Sequence, residues 1–312
     1  MTKIYAYKSE SPRMKLSIYS ILALAFLSLD VRAVNNFAGI TASNSAENGG
    51  TYTCRTQDQW NALFNNANDT GFKAVRILGF DCDALTLASN AAASVGMQIL
   101  AGIYFNGPVA AANGQIDTDV LTFQNAVKTF GADRYVGLTV GNENSDSPEN
   151  IMIKVGQVRD ILRGAGINTP VSTVHTWVAI LNNNLFCNGD FVAANAHAYY
   201  DYNTPADQTG NWLIHNVVPM LRNTCPNKQI IITESGWPSA GNINGAALPS
   251  LENEASSLLN LNCACRDDRS VTVFAFEYDN SLWKGTDVER SFGLFDNDIP
   301  KLEYNGDILA HC

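Results

Sequence analysis

The sequence predicts a single α/β domain with the (β/α)8 (TIM) barrel architecture, and three observations predict it. Eight short apolar or β-branched runs recur along the chain, interleaved with helix-like stretches. Strand–helix alternation implies parallel strands. Setting aside an N-terminal leader leaves about 280 residues, close to the roughly 250 typical of such a barrel. The alternative is an open doubly wound sheet. That fold usually carries a glycine-rich phosphate loop after its first strand, but here Thr41-Ala42-Ser43-Asn44-Ser45 follows, with no G-x-G-x-x-G, and the barrel is favoured.

The predicted strands are Phe37–Ser43, Ala74–Phe80, Gln98–Tyr104, Tyr135–Gly141, Val171–Trp177, Phe191–Tyr200, Gln229–Thr233 and Val271–Tyr278. Each is nearly continuous in apolar character and bounded by Gly, Asn, Asp or Pro, as a strand buried on both faces should be. Helical spacing of apolar residues marks Thr56–Asn66 (Trp60, Leu63, Phe64), Asp117–Phe130 (Val120, Leu121, Phe123, Val127, Phe130) and Pro148–Arg163 (Ile151, Val155, Val158, Ile161, Leu162). Asn211–Leu221 and Leu251–Asn262 follow, and Asp307–His311 is placed as a closing helix. Gly71, Gly131 and Gly164/Gly166 stand where helices should stop, consistent with left-handed C-terminal caps. No Pro- or Ser-rich linker divides residues 34–312, which are read as one catalytic barrel.

Residues 1–33 are read as a secretory signal with a preceding leader. Lys15 precedes the apolar run Leu16–Leu29, and Val31-Arg32-Ala33 puts small residues at −3 and −1 of a cut after Ala33. Met14 is a candidate start. The competing reading, a membrane anchor, needs about 20 apolar residues, and this run has only about 14. The mature chain is therefore expected to be secreted, extracellular or in a cell wall, free of the membrane, and monomeric. The seven cysteines all lie beyond the leader, so an exported chain forms at most three bridges and leaves one thiol over. A zinc site is not favoured, because only Cys263 and Cys265 are close and no His accompanies them. Asn68-Asp69-Thr70 is an N-glycosylation sequon.

Composition narrows the partners. Of 312 residues, 46% are apolar and 16% charged, with 20 basic against 30 acidic side chains and a net charge of −10. Nothing in the mature chain would neutralise phosphates, so no nucleic-acid partner is expected, and a neutral substrate fits better. Barrel active sites gather at the C-terminal ends of strands. Those ends carry acids, amides and aromatics: Asn142-Glu143-Asn144, His197-Ala198-Tyr199-Tyr200, Glu234-Ser235-Gly236-Trp237, and Phe276-Glu277-Tyr278 with Trp283 beyond. Aromatic faces stack on the C–H faces of sugar rings, while amides and acids hold hydroxyls. Glu143 and Glu234 each follow an apolar run, where an ionised side chain is rarely tolerated unless it faces a mouth or is paired. Strands four and seven lie across an eight-strand ring, so the two carboxyls are expected to face one another. Taken singly, either glutamate also reads as an exposed loop acid or an ion-pair partner.

Gly141-Asn142-Glu143 and Ile232-Thr233-Glu234-Ser235-Gly236-Trp237-Pro238 resemble the two signature segments of glycoside hydrolase family 17, in its fungal cell-wall β-1,3-glucanase and glucanosyltransferase branch. Arg76-Ile77-Leu78-Gly79-Phe80-Asp81-Cys82 and Phe274-Ala275-Phe276-Glu277 with Trp283-Lys284 match as well, so the likeness spans the mature chain. Asn195-Ala196-His197-Ala198-Tyr199-Tyr200 departs from it, lacking a Pro the family often has there. The resemblance implies a retaining enzyme on β-1,3-glucan with Glu143 as general acid/base and Glu234 as nucleophile. With four histidines and none paired at ligand spacing, no catalytic metal is expected, and no cofactor. Glucanosyl transfer is expected to be favoured and hydrolysis to compete; a mainly hydrolytic endo-glucanase and a non-catalytic glucan-binding wall protein are the alternatives. Asn142 is expected at the sugar 2-hydroxyl, and Tyr199 as a donor to Glu234 or a cap on strand six. Glu277 is expected to bind sugar hydroxyls, to tune Glu234, or to pair with Arg76 or Lys284. Trp237, Trp283, Tyr104 and Phe105 are stacking or packing residues. His197 is read as a core histidine more than a ligand.

Overall fold

In the computed structural model the described residues are 35–46 and 49–296, the backbone of 299–300, and the single positions 1 and 312. The leader and the helix expected at Asp307–His311 lie outside them. Eight strands close a barrel: β1 (Gly39–Ala42), β2 (Ala74–Ile77), β3 (Gln98–Ile103), β4 (Tyr135–Asn142), β5 (Val171–Thr176), β6 (Val192–Asn195), β7 (Ile230–Ser235) and β8 (Val271–Phe276). Each pairs in parallel with its neighbours in chain order, and β1 closes the ring on β8 through Gly39 opposite Phe274 and Ile40 opposite Ala275. The predicted barrel is the one observed.

Between the strands run α1 (Gln57–Asp69), α2 (Ala84–Val95), α3 (Val109–Phe130), α4 (Pro148–Gly164), α5 (Trp177–Asn182), α6 (Thr209–Trp212), α7 (Val218–Thr224) and α8 (Leu251–Asp267). Local chemistry sets several boundaries. Thr56 accepts from the Gln59 amide while the Gln59 side chain returns to the Thr56 N–H, a capping box that starts α1. Ser147 caps α4 just ahead of Pro148, whose missing N–H would have been an orphan there. The region expected as one helix at Asn211–Leu221 is α6 and α7 joined by a π turn at Leu213–Val217.

Two apolar layers result. Inside the barrel, Ala74, Leu100, Val174, Phe191, Ala193, Ile231 and Phe274 pack together, so the interior is filled. Outside, the other strand faces meet the helices through residues such as Ile40, Val75, Ile99, Leu138, Val192 and Val273. Three disulfides form, Cys54–Cys82, Cys187–Cys225 and Cys263–Cys312, and Cys265 is left as a buried thiol pushed up to about 12 by burial. None of the described helices is long and apolar enough to cross a membrane.

Candidate active site

The end of β4 departs from strand geometry. Gly141 has φ +85° and Glu143 φ +49°, a conformation unusual for a residue with a side chain and found disproportionately at functional sites. The Glu143 N–H nevertheless stays in the sheet, donating to Val174 O on β5 at 2.8 Å. β7 runs on through Glu234, which lies in register with Asn195 at the end of β6. Two glutamates and an asparagine thus leave three strand ends at the same rim.

One hydrogen-bond network joins both carboxyls. Arg76, buried on β2, donates from Nη1 to Glu234 Oε1 at 2.6 Å and from Nη2 to Asn142 Oδ1 at 2.8 Å. Asn195 Nδ2 donates to Glu143 Oε1 at 2.8 Å and lies 3.3 Å from Asn142 Oδ1. Asn195 is oriented in turn by the Thr233 hydroxyl, 2.7 Å from its Oδ1. His197 Nε2 stands 3.4 Å from Glu234 Oε2. Both oxygens of Glu234 therefore face a nitrogen-bearing partner, while Glu143 has one neutral donor.

That asymmetry sets the protonation states. Burial pushes Glu143 above the usual carboxyl range, and the nearby Glu234 charge adds to it; the Asn195 hydrogen bond only partly offsets them. Glu234 is also buried, which alone would raise it, but the Arg76 charge and the His197 contact outweigh burial and bring it down to about 2. Two carboxyls on one network are thus set in opposite directions, one to hold a proton and one to stay anionic, the arrangement that separates an acid from a nucleophile.

A cleft of about 1060 Å³ runs over this pair. Of the residues singled out from the sequence, Asn142, Glu143, Glu234, Glu277, Tyr104, Phe105 and Trp283 line it. Arg76 acts from beneath, through Glu234 and Asn142. Glu277 is buried and pairs with Lys284 at 2.9 Å rather than with Arg76; burial raises its carboxyl, and Lys284 works against that. Two expectations change. Tyr199 does not donate to Glu234, because its hydroxyl bonds the backbone oxygen of Asn242 and its ring packs edge-on against Trp237. Trp237 does not line the cleft: it is buried, with Nε1 donating to Leu248 O at 3.0 Å. Sequence reasoning assigns no role to Asn195, Tyr52 or Tyr200, and it reads His197 as core more than as a ligand. The acid-bearing strand ends were the available signal, since Asn195 ends β6 and His197 follows it at the same rim.

A family model for the BtgE/BtgC glycoside hydrolase domain matches residues 39–293. Among curated relatives, the probable family 17 glucosidase SCW4 of Saccharomyces cerevisiae is 33% identical over 238 residues, covering 73% of this chain and 58% of its own length. The cell surface mannoprotein MP65 of Candida albicans is 30% identical over 268 residues, covering 83% of this chain and 66% of its own length. The chain thus spans less than two thirds of either relative. The family 17 β-1,3-glucanosyltransferase of Rhizomucor miehei has the same fold, with a TM-score of 0.69 at 24% identity over 86% of this chain and 96% of that one. With the whole barrel and both glutamate-bearing strand ends inside the matched region, the chain belongs to the BtgE/BtgC glycoside hydrolases, within glycoside hydrolase family 17.

Proposed function

We propose that this chain is a retaining glycosidase and glucanosyltransferase on β-1,3-glucan, exported to the cell surface or wall. The single observation that carries the catalytic reading is the opposed setting of Glu143 and Glu234 on one network within one cleft. The β-1,3-glucan substrate rests on the family and on the aromatic and amide lining, with the R. miehei name as a pointer. Export is supported by the three disulfides and by the naming of MP65 as a cell surface protein.

In the first step Glu234 attacks the anomeric carbon while Glu143 gives its proton to the leaving oxygen. The glycosidic C–O bond breaks as the glucosyl ester of Glu234 forms. Esterification removes the Glu234 charge, which lowers Glu143 and readies it as a base. Glu143 then takes a proton from an incoming hydroxyl, whose oxygen displaces Glu234 and restores the carboxylate. Retention requires the two carboxyls to act from opposite faces at about 5–5.5 Å. A sugar hydroxyl as acceptor lengthens a chain and water ends it; an amide- and aromatic-lined cleft favours the sugar. Asn142, held by Arg76, is the group for the 2-hydroxyl.

Sizing the products formed from a defined laminari-oligosaccharide tests this. Products longer than the substrate are expected, with retained anomeric configuration by NMR. Glu234→Ala and Glu143→Gln should each lower turnover by about three orders of magnitude or more while leaving the circular dichroism spectrum unchanged. Near-native turnover by either variant, or inverted products, would sink the assignment.

A further inference from the structure

One side of the cleft is built by a segment outside the barrel. Beyond β1, Ser45–Ala46 pairs antiparallel with Thr53–Cys54. Just before the second of these strands, Tyr52 lines the cleft together with Trp283 and Tyr104, and each of the three residues is about two-fifths exposed. The Tyr52 ring meets Trp283 edge to face, with centroids 4.9 Å apart and planes at 80°. Its hydroxyl donates to Asp81 Oδ2 at 2.5 Å, and the other Asp81 oxygen accepts from Asn44 at 2.8 Å. Burial and the Asp81 carboxylate both raise the Tyr52 hydroxyl, so it remains a donor.

Two covalent and ionic ties fix this corner. Cys82, the residue after Asp81, is bonded to Cys54, two residues after Tyr52. Arg55, next in the chain, reaches Asp279 beyond β8 at 2.5 Å and Ser43 O at 2.9 Å, both buried. Trp283 is held from its other neighbour: Lys284 lies 6.0 Å from its ring and is paired to Glu277. A surface tyrosine has no need of such anchoring. A ring that must present itself to a ligand before the ligand arrives does, because ordering it on binding would subtract from affinity.

We propose that Tyr52 and Trp283 form a binding step for one glucosyl unit of the chain, and that the Cys54–Cys82 bridge is the positioning device that holds Tyr52 there. This rests on the reading that the cleft takes β-1,3-glucan. The bridge connects the strand bearing Tyr52 to the turn bearing its hydrogen-bond acceptor, so its loss lets the ring leave Asp81 without touching Glu143 or Glu234.

Binding to an inactive form separates this from catalysis. In the full chain carrying Glu234→Ala, laminarihexaose affinity is measured by calorimetry. Adding Tyr52→Ala should weaken it about tenfold or more, and Tyr52→Phe, which keeps the ring and loses the Asp81 bond, by less. Replacing Cys54 and Cys82 with Ser should weaken it comparably in the Tyr52 background and change it little in the Tyr52→Ala background. If the serine pair fails to fold, mild reduction and alkylation of the folded chain test the same link, since Cys54 is exposed. Unchanged affinity in Tyr52→Ala, full additivity of the two changes, or no hexaose binding by the parent would each overturn the proposal. Hexaose binding by the parent without turnover by the unsubstituted enzyme would overturn the catalytic reading alone.

Discussion

Arg76 decides how Glu234 behaves. It is 1% exposed and spans from Glu234 to Asn142, so one buried cation both holds Glu234 ionised and orients the Asn142 amide beside Glu143. Arg76→Met leaves Glu234 with burial and only the His197 contact. Its carboxyl must then rise, because an adjacent opposite charge is lost. The proposed mechanism needs the Glu234 anion, so the acidic limb of the pH–rate profile should move to higher pH by about 1–3 pH units and activity at pH 4 should fall; an unmoved limb would show that Arg76 does not set it. The reciprocal case runs the other way. Glu143 is raised partly by the Glu234 charge, so Glu234→Gln should lower the Glu143 carboxyl, read by 13C NMR of the labelled side chain. The same residues show what a sequence can disclose. A glutamate closing an apolar strand is anomalous wherever it stands, so Glu143 and Glu234 announce themselves. Asn195 and His197 do not, because an amide or an imidazole at a strand end looks the same whether it caps a turn or orients a carboxyl. Their roles depend on the β6–β7 register that sets Asn195 opposite Glu234. Tyr52 is still less legible: it reaches the cleft through a long-range bridge to Cys82.

Elements were legible where periodicity was strong and obscure where tertiary packing replaced it. The helix α2 has the sequence ALTLASNAAASV, and its small residues Ala84, Ala88, Ser89, Ala91 and Ala92 are all buried with Leu85. So many alanines spread around the helix leave no sharp apolar stripe, and the segment was passed over. The helix expected from Asp117 begins two turns earlier, at Val109, and Lys154 of α4 ties that end down through Asn113 and Asp117. Strand β7, predicted over Gln229–Thr233, continues in the ladder to Ser235 opposite Ala275. A tight contact of the same kind makes an element-scale prediction. At Gly210 in α6, an added Cβ would fall 2.2 Å from Asn260 O of α8, and the Gly210 N–H already donates to Asn260 Oδ1 at 2.6 Å. Gly210→Ala must push α6 and α8 apart, lowering stability by about 1–3 kcal/mol in denaturant melts. Because the helices separate on the outer ring, kcat should hold; a loss of kcat with unchanged stability would contradict this.

The whole molecule divides its labour between the two ends of the barrel, and the disulfides report that division. Cys187 precedes the start of β6 and Cys225 precedes the start of β7, so their bridge lies at the strand N-termini, the end associated with stability. Cys54 and Cys82 lie past the ends of β1 and β2, at the end that carries the cleft. Closing the 38-residue separation of Cys187–Cys225 constrains the unfolded chain, with a typical effect of about 2–4 kcal/mol. Replacing that pair with Ser should therefore lower the unfolding free energy by about that amount while kcat and KM stay within twofold of the parent. Replacing Cys54 and Cys82 should do the opposite in kinetics: KM for long oligosaccharides rises while kcat holds. Measured side by side, the two variants test whether the ends are separable. If loss of the Cys187–Cys225 bridge moved KM as much as loss of Cys54–Cys82, strain would be passing through the filled barrel interior, and the cleft could not be treated as loops mounted on an indifferent scaffold.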